Sequence, residues 1–188
     1  TPRLPGTGCA LRALSVLPGV HASYGGNVIR VDVGNAAFHA VGDAPTDDGL
    51  QSALARVERV AGRRNILVVH AGTPFHAAAL RSGEFNEHHL PIELLRRFDD
   101  FDYIALGHYH RHMRVEGTRN AWYCGSTERM SFSELKNTPG FVEVSLEPIA
   151  LRHHAVPSRS YVDLGIVDVR TTGNVVAEVA AREAATPV

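Results

Sequence analysis

Two apolar runs in this chain end in histidine. Ile66-Leu67-Val68-Val69 leads directly into His70, and Tyr103-Ile104-Ala105-Leu106 leads through Gly107 to His108-Tyr109-His110. A short run with no polar interruption suits a central strand buried on both faces. Loops at the carboxyl ends of such strands are where open α/β sheets bind ligands. Side chains at i and i+2 of an extended backbone point the same way, so His108 and His110 can converge. Gly107 lets the chain turn sharply off its strand without a Cβ in the way. Imidazole is the commonest protein nitrogen ligand for metals, so His70, His108 and His110 read as a metal half-site. H-x-H alone is a weak signal, and a single strand-end histidine is ordinarily a hydrogen-bonded polar residue. The other histidines, His21, His39, His76, His88, His89, His112, His153 and His154, show no spacing that demands a metal. His76 and the His88-His89 pair follow His70 in or just after a loop of small and polar residues.

A second segment, Tyr123-Cys124-Gly125-Ser126-Thr127-Glu128, places Gly125, Ser126 and Thr127 directly after a strand. Such a turn offers backbone N–H groups and hydroxyls that suit a phosphate. The same composition also makes an ordinary tight turn.

The elements that must position these groups follow from periodicity. Leu11, Leu14 and Leu17 suit a short helix ending before Pro18-Gly19. Val28–Val33 alternates and reads as a strand, with a weaker strand over Ala36–Val41 after the Gly34-Asn35 turn. Leu50, Leu54, Val57 and Val60 form a helical stripe from Asp47 to Ala61, with Asp47 or Asp48 as N-cap. Pro91–Phe98 reads as a short helix with Pro at an early position. After His112 the pattern turns all-β. One hairpin pairs Met113–Glu116 with Ala121–Cys124, and another pairs Phe141–Leu146 with Ile149–Ala155. Pro157-Ser158-Arg159-Ser160 reads as a linker, followed by a strand over Tyr161–Val169 and a helix over Val175–Ala185. Strand–helix–strand units followed by hairpins predict an α/β domain with a mixed β-sheet and flanking helices.

Taken together, ILVVH, then DYIALGHYH, then WYCGSTERMSFSE resemble the C-terminal half of a calcineurin-like metallophosphoesterase, over roughly residues 60–145. Gly-His-x-His is that family's last signature. Tyr-x-Gly-Ser-Thr-Glu followed by Phe-Ser-Glu is similar to the Mre11/SbcD branch, the nuclease subunit of DNA double-strand-break repair. TPRLPGTGCALRALSVLPGV extends the likeness to residue 1, in the position that follows the family's Asn-His-Asp/Glu motif. The resemblance implies that His70 and His108 ligate one metal of a dinuclear pair and His110 the other. It implies two divalent ions, Mn²⁺ by family habit, acting on a phosphodiester. It also implies the second half of a four-layer αββα sandwich, with residues 1–157 as the C-terminal half of the phosphoesterase domain. Residues 158–188 would be a linker and the start of a cap domain. Further implications are DNA as substrate, an SbcC/Rad50-like ATPase partner, and a homodimer of the full protein.

The family's earlier motifs are missing. There is no Asp-x-His; Gly42-Asp43 comes late and leads into Ala44-Pro45, and Gly34-Asn35 is followed by Ala36 rather than His. The bridging carboxylate, the Asn ligand and the catalytic His therefore have no counterpart, and this chain alone is expected to be inactive. Three readings remain. The chain is part of a two-metal nuclease, part of an enzyme acting on a small phosphoester, or a non-catalytic partial domain that binds a partner. Arg111, Arg114, Arg119 and Arg129 are candidates for phosphate contacts in the first.

Composition bounds the choice. With 188 residues, 44% hydrophobic and 21% charged, the chain can bury a real core and is not mainly disordered. A formal charge of -1 argues against a strongly basic nucleic-acid glove and leaves room for a local basic patch. No run approaches the roughly 20 apolar residues of a bilayer span. Cys9 and Cys124 lie far apart and read as free thiols of a reducing, cytoplasmic compartment. The start at Thr1-Pro2-Arg3 has no secretory signal and no initiator Met, as expected for a piece of a longer chain.

Overall fold

Asn65, Ile66, Leu67 and Val69 are buried in the strand that ends at His70, and this strand organises the molecule. The computed structural model describes residues 9–73 and 89–185. Its main sheet has six strands in the order β1-β2-β3-β4-β6-β5. They are β1 (Val28–Val33), β2 (Ala36–Val41), β3 (Arg64–His70), β4 (Tyr103–Gly107), β5 (Met113–Arg114) and β6 (Ala121–Tyr123). β2, β3, β4 and β6 run parallel to their neighbours in that order, and β1 and β5 close the two edges antiparallel. The protein is therefore of the α/β class with a mixed sheet. β7 (Gly140–Leu146) and β8 (Ile149–Ala155) form a separate antiparallel pair.

Strand alternation sorts the core onto two faces. Val41, Leu67, Val69, Ile104, Leu106, Ala121 and Tyr123 pack with helix α1 (Asp47–Leu54) and helix α2 (Ile92–Arg96) through Leu50, Leu54, Leu95 and Phe98. The opposite face carries Ala36, Phe38, Ile66, Tyr103, Ala105 and Trp122, and Val144, Leu146 and Leu151 of the β7–β8 hairpin pack onto it. The described layers are helices, the six-stranded sheet, and a two-stranded hairpin that covers the second face only in part. Val68 on that face remains 39% exposed.

Several expectations shift in detail. α1 is capped by Thr46, whose hydroxyl accepts from the Gly49 N–H at 3.1 Å, while Asp47 and Asp48 sit in the first turn. Thr46 is extended at φ −138°, as an N-cap must be, and the two aspartates favour the positive helix terminus instead. The helix stops at Leu54 rather than running to Ala61. Beyond it Arg56 N–H donates to Ala53 C=O and Val57 N–H to Leu54 C=O, and the Asn65 side chain then takes both the N–H and the C=O of Val60. The same buried side chain also holds Arg63 C=O and the His39 ring. The Leu11–Leu17 segment forms a 3-10 helix over Ala10–Val16. Tyr161–Val169 is not a strand; Arg182 of helix α3 (Val175–Ala185) instead donates to Leu164 C=O and Ile166 C=O. The loop containing His76 and His88 lies outside the described residues. No helix among the described residues is long and apolar enough to cross a membrane.

Candidate metal centre

Because β2, β3, β4 and β6 are parallel, their carboxyl ends share one edge of the sheet. That edge gathers Asp43 beyond β2, His70 at the end of β3, His108 and His110 beyond β4, and the Gly125–Thr127 loop beyond β6. His70 pairs in register with Gly107. A Cβ on Gly107 would stand 2.7 Å from His70 Nδ1, so the ring occupies space that only glycine leaves open. Gly72 has the same function toward His108 and Tyr109, which would lie 3.2 and 3.3 Å from a Cβ there.

His70 and His108 meet edge to face with ring centroids 5.6 Å apart. Two imidazoles bound tetrahedrally to one ion would have centroids about 5 Å apart, given metal–nitrogen bonds near 2.1 Å. The observed separation is close to that value. Burial of its ring, then the neighbouring His108, holds His70 below the ordinary histidine range, while Asp43 pulls it back up. A lowered value leaves the imidazole neutral near pH 7, the form that carries a ligating lone pair. His108 holds φ 124°, a left-handed conformation that a non-glycine residue adopts at a cost of about 1–3 kcal/mol. The surrounding contacts enforce it: the His108 ring packs on Tyr109 at 4.9 Å, and Tyr109 packs on buried Tyr123 at 4.7 Å. Both tyrosines tie down the segment after His70. Tyr109 donates to Thr73 C=O, and Tyr123 donates to Ala71 C=O at 2.9 Å while its hydroxyl oxygen lies 3.2 Å from Thr73 Oγ1.

His110 is directed by a different partner. Its Nδ1 lies 2.8 Å from Glu134 Oε1. Burial pushes Glu134 up, but the Met130 N–H and the His110 ring outweigh it and hold the carboxyl below its ordinary range. The structure therefore joins His70 with His108 as a pair and holds His110 through Glu134. Among the described residues no three His, Cys, Asp or Glu side chains stand together as a ready ligand group. The donors present fit the imidazole half of a site for one ion and not a complete two-ion site.

The Gly125-Ser126-Thr127 loop is committed largely to holding its neighbours. Ser126 N–H donates to His110 C=O at 3.1 Å, and the Ser126 hydroxyl donates to Glu128 C=O at 2.7 Å. Gly125, at φ 84°, lies so close to His112 that a Cβ would stand 2.9 Å from its backbone nitrogen. Thr127 is exposed.

The four candidate arginines separate. Arg111 is exposed beside His110. Arg129 donates to Ser158 Oγ, Arg159 C=O and Asn137 C=O, locking the 126–140 loop to the chain after β8. Arg119 precedes β6 at the sheet's opposite edge, where its N–H meets Asp99, and Arg114 donates to Thr118 and Arg119 carbonyls there. Arg114 and Arg119 therefore do not face the histidines, because the hairpin carries them to the amino ends of the parallel strands. A groove at that same edge is lined by three arginines, Arg59, Arg63 and Arg64, and two carboxylates, Asp102 and Glu147. Arg64 pairs with Asp102 at 2.8 Å and with Glu147 at 3.7 Å.

Asp43 is the residue that motif reading set aside. It follows β2 at the carboxyl edge and acts electrostatically on His70. The available signal was position, a Gly-Asp directly after a parallel strand, rather than the residues around it. No protein-family model matches the chain, and no curated protein matches it.

Proposed function

We propose that this chain is the second half of a metallophosphoesterase of the Mre11/SbcD kind, built as part of a four-layer αββα sandwich and acting on phosphodiesters of DNA. The observation that carries the reading is the convergence of His70, His108 and His110 on one sheet edge, from the carboxyl ends of two adjacent parallel strands. His70 and His108 would hold one ion and His110 would contribute to a second. The ions, when bound, polarise the phosphoester and activate water. This chain's own residues orient the imidazoles, through Gly107, Tyr109, Tyr123 and Glu134, and Thr127 and Arg111 are left for the substrate phosphate. The partly bare second face of the sheet is where a second sheet would complete the sandwich.

Charge sets the limit on what the chain does alone. Two divalent ions about 4 Å apart repel by about 17 kcal/mol at an effective dielectric of 20. Neutral imidazoles cancel none of this. Asp43 brings one negative charge to this edge, and Glu134 is bonded to His110. The remaining carboxylates must come from another segment or chain. A small phosphoester is the second reading, favoured by the placement of Arg114 and Arg119 away from the site.

Metal stoichiometry tests the proposal. The purified chain is loaded with Zn²⁺ or Mn²⁺, desalted, and its metal counted by elemental analysis. In the isolated chain one Zn²⁺ is expected, with His110 completing the imidazole set of His70 and His108; it should be lost in His70→Ala and in His108→Ala and bound more weakly in His110→Ala, with no second Mn²⁺ retained. Two ions per chain would overturn the half-site, and none would overturn the ligand reading in favour of a partial domain that binds only a partner.

A further inference from the structure

Glu134 lies 24 residues beyond His110, in a one-turn 3-10 segment over Phe132–Glu134. Its carboxylate is placed before any ligand arrives. Oε2 accepts the Met130 N–H at 3.0 Å, and Ser131 Oγ lies 3.4 Å from Oε1. The backbone of the turn is fixed too, with Glu134 N–H donating to Ser131 C=O and Asn137 N–H donating to Glu134 C=O. The Glu134 side chain is 15% exposed against 43% for His110, so the less exposed carboxylate anchors the more open ring. A carboxylate has no proton to give, so the 2.8 Å contact places the hydrogen on His110 Nδ1.

We propose that Glu134 is a positioning residue, fixing the rotation and tautomer of His110 so that Nε2 carries the lone pair. Metal-bound histidines ordinarily donate their other ring N–H to such a partner, and loss of that partner weakens metal binding 10–100-fold. An incidental surface ion pair would instead tie His110 to Glu134 only when the ring is charged. The inference rests on the proposed ligand role of His110 for its metal arm, while its ring arm stands without metal.

The test uses the metal-free chain at pH 8, with histidine nitrogens read by two-bond ¹H–¹⁵N correlation spectra, followed by Zn²⁺ titration. In the wild type His110 is expected as the Nδ1–H tautomer. Glu134→Ala should shift it toward Nε2–H, leave the His70 pattern unchanged, and lower Zn²⁺ affinity roughly 10–100-fold. Glu134→Gln keeps the size and one acceptor oxygen, so it should fall between the two. A wild-type His110 in the Nε2–H form would overturn the proposal. So would a tautomer, or a Zn²⁺ affinity, that Glu134→Ala leaves unmoved. A wild-type chain that orders His110 through Glu134 yet takes up no Zn²⁺ would uphold the positioning and overturn the metal reading instead.

Discussion

At the residue scale, the backbone of His108 shows what its position costs. A β-carbon at φ 124° is strained in any L-residue, and glycine alone is free of the penalty. His108→Gly and His108→Ala both delete the ring and its contacts with His70 and Tyr109, but only the first relieves the backbone. The glycine variant is therefore expected to be more stable than the alanine variant by about 1 kcal/mol, or about 2–4 °C in melting temperature for a chain of this size. Equal melting temperatures, measured by calorimetry, would show that the strain is absent. Both variants should lose Zn²⁺ binding, which places a functional demand on a residue the fold alone would not choose. The histidines themselves were legible in the sequence, since each ends an apolar run. The parts played by Asp43 and Glu134 were not, although Glu134 closes the Phe132-Ser133-Glu134 match. Asp43 has the wrong neighbours for a motif, and Glu134 reaches His110 only through the fold of a loop that no periodicity describes.

At the element scale, the β7–β8 hairpin is joined to the main sheet by stacked rings. His112, whose Nδ1–H donates to Tyr123 C=O, lies between Trp122 of β6 at 5.4 Å and His153 of β8 at 4.8 Å. Desolvation, then the neighbouring His112 and His154, lowers the affinity of His153 for a proton. His154, beside it on β8, is paired with Glu143 of β7 at 2.7 Å. The unfolded chain thus binds the proton more readily than the folded one, and stability contributed by neutral His153 falls as pH drops through about 6.5. The thermal midpoint should be lower at pH 5.5 than at pH 7.5, and His153→Gln should lessen that difference. An unchanged pH dependence in the variant would remove His153 from the account. Both hairpins were legible from alternation and turn residues, because strand pairing there is local. The end of α1 was not. Val57 and Val60 continue the apolar stripe past Leu54, but the backbone of Val60 is bonded at both its N–H and its C=O to the side chain of Asn65 in the next strand, a contact the stripe does not show.

At the scale of the whole molecule, charge decides how the isolated chain meets DNA. Its 19 Lys and Arg are balanced by 20 Asp and Glu, so attraction must come from local clustering. The fold disperses the arginines instead. Arg59, Arg63 and Arg64 gather at the amino edge of the sheet with Asp102 and Glu147, and Arg114 and Arg119 join that side. Arg129 is bonded into the loop that carries Glu134. Arg111 is left beside His110 at the carboxyl edge. Each phosphate neutralised adds about 0.9 to the slope of log affinity against log salt for duplex DNA, and about 0.7 for single strands. With EDTA present to remove any bound cation, the chain should bind a short duplex weakly, with a slope no steeper than about −2 by fluorescence anisotropy. Arg111→Ala should flatten it by about one unit, and Arg119→Ala should leave it unchanged, because one side chain stands at the histidine edge and the other at the far edge. A slope of about −4 or steeper would require several phosphate contacts that the described residues of this edge do not supply. It would move the nucleic-acid surface to the amino edge, where the arginines are, and separate it from the histidines.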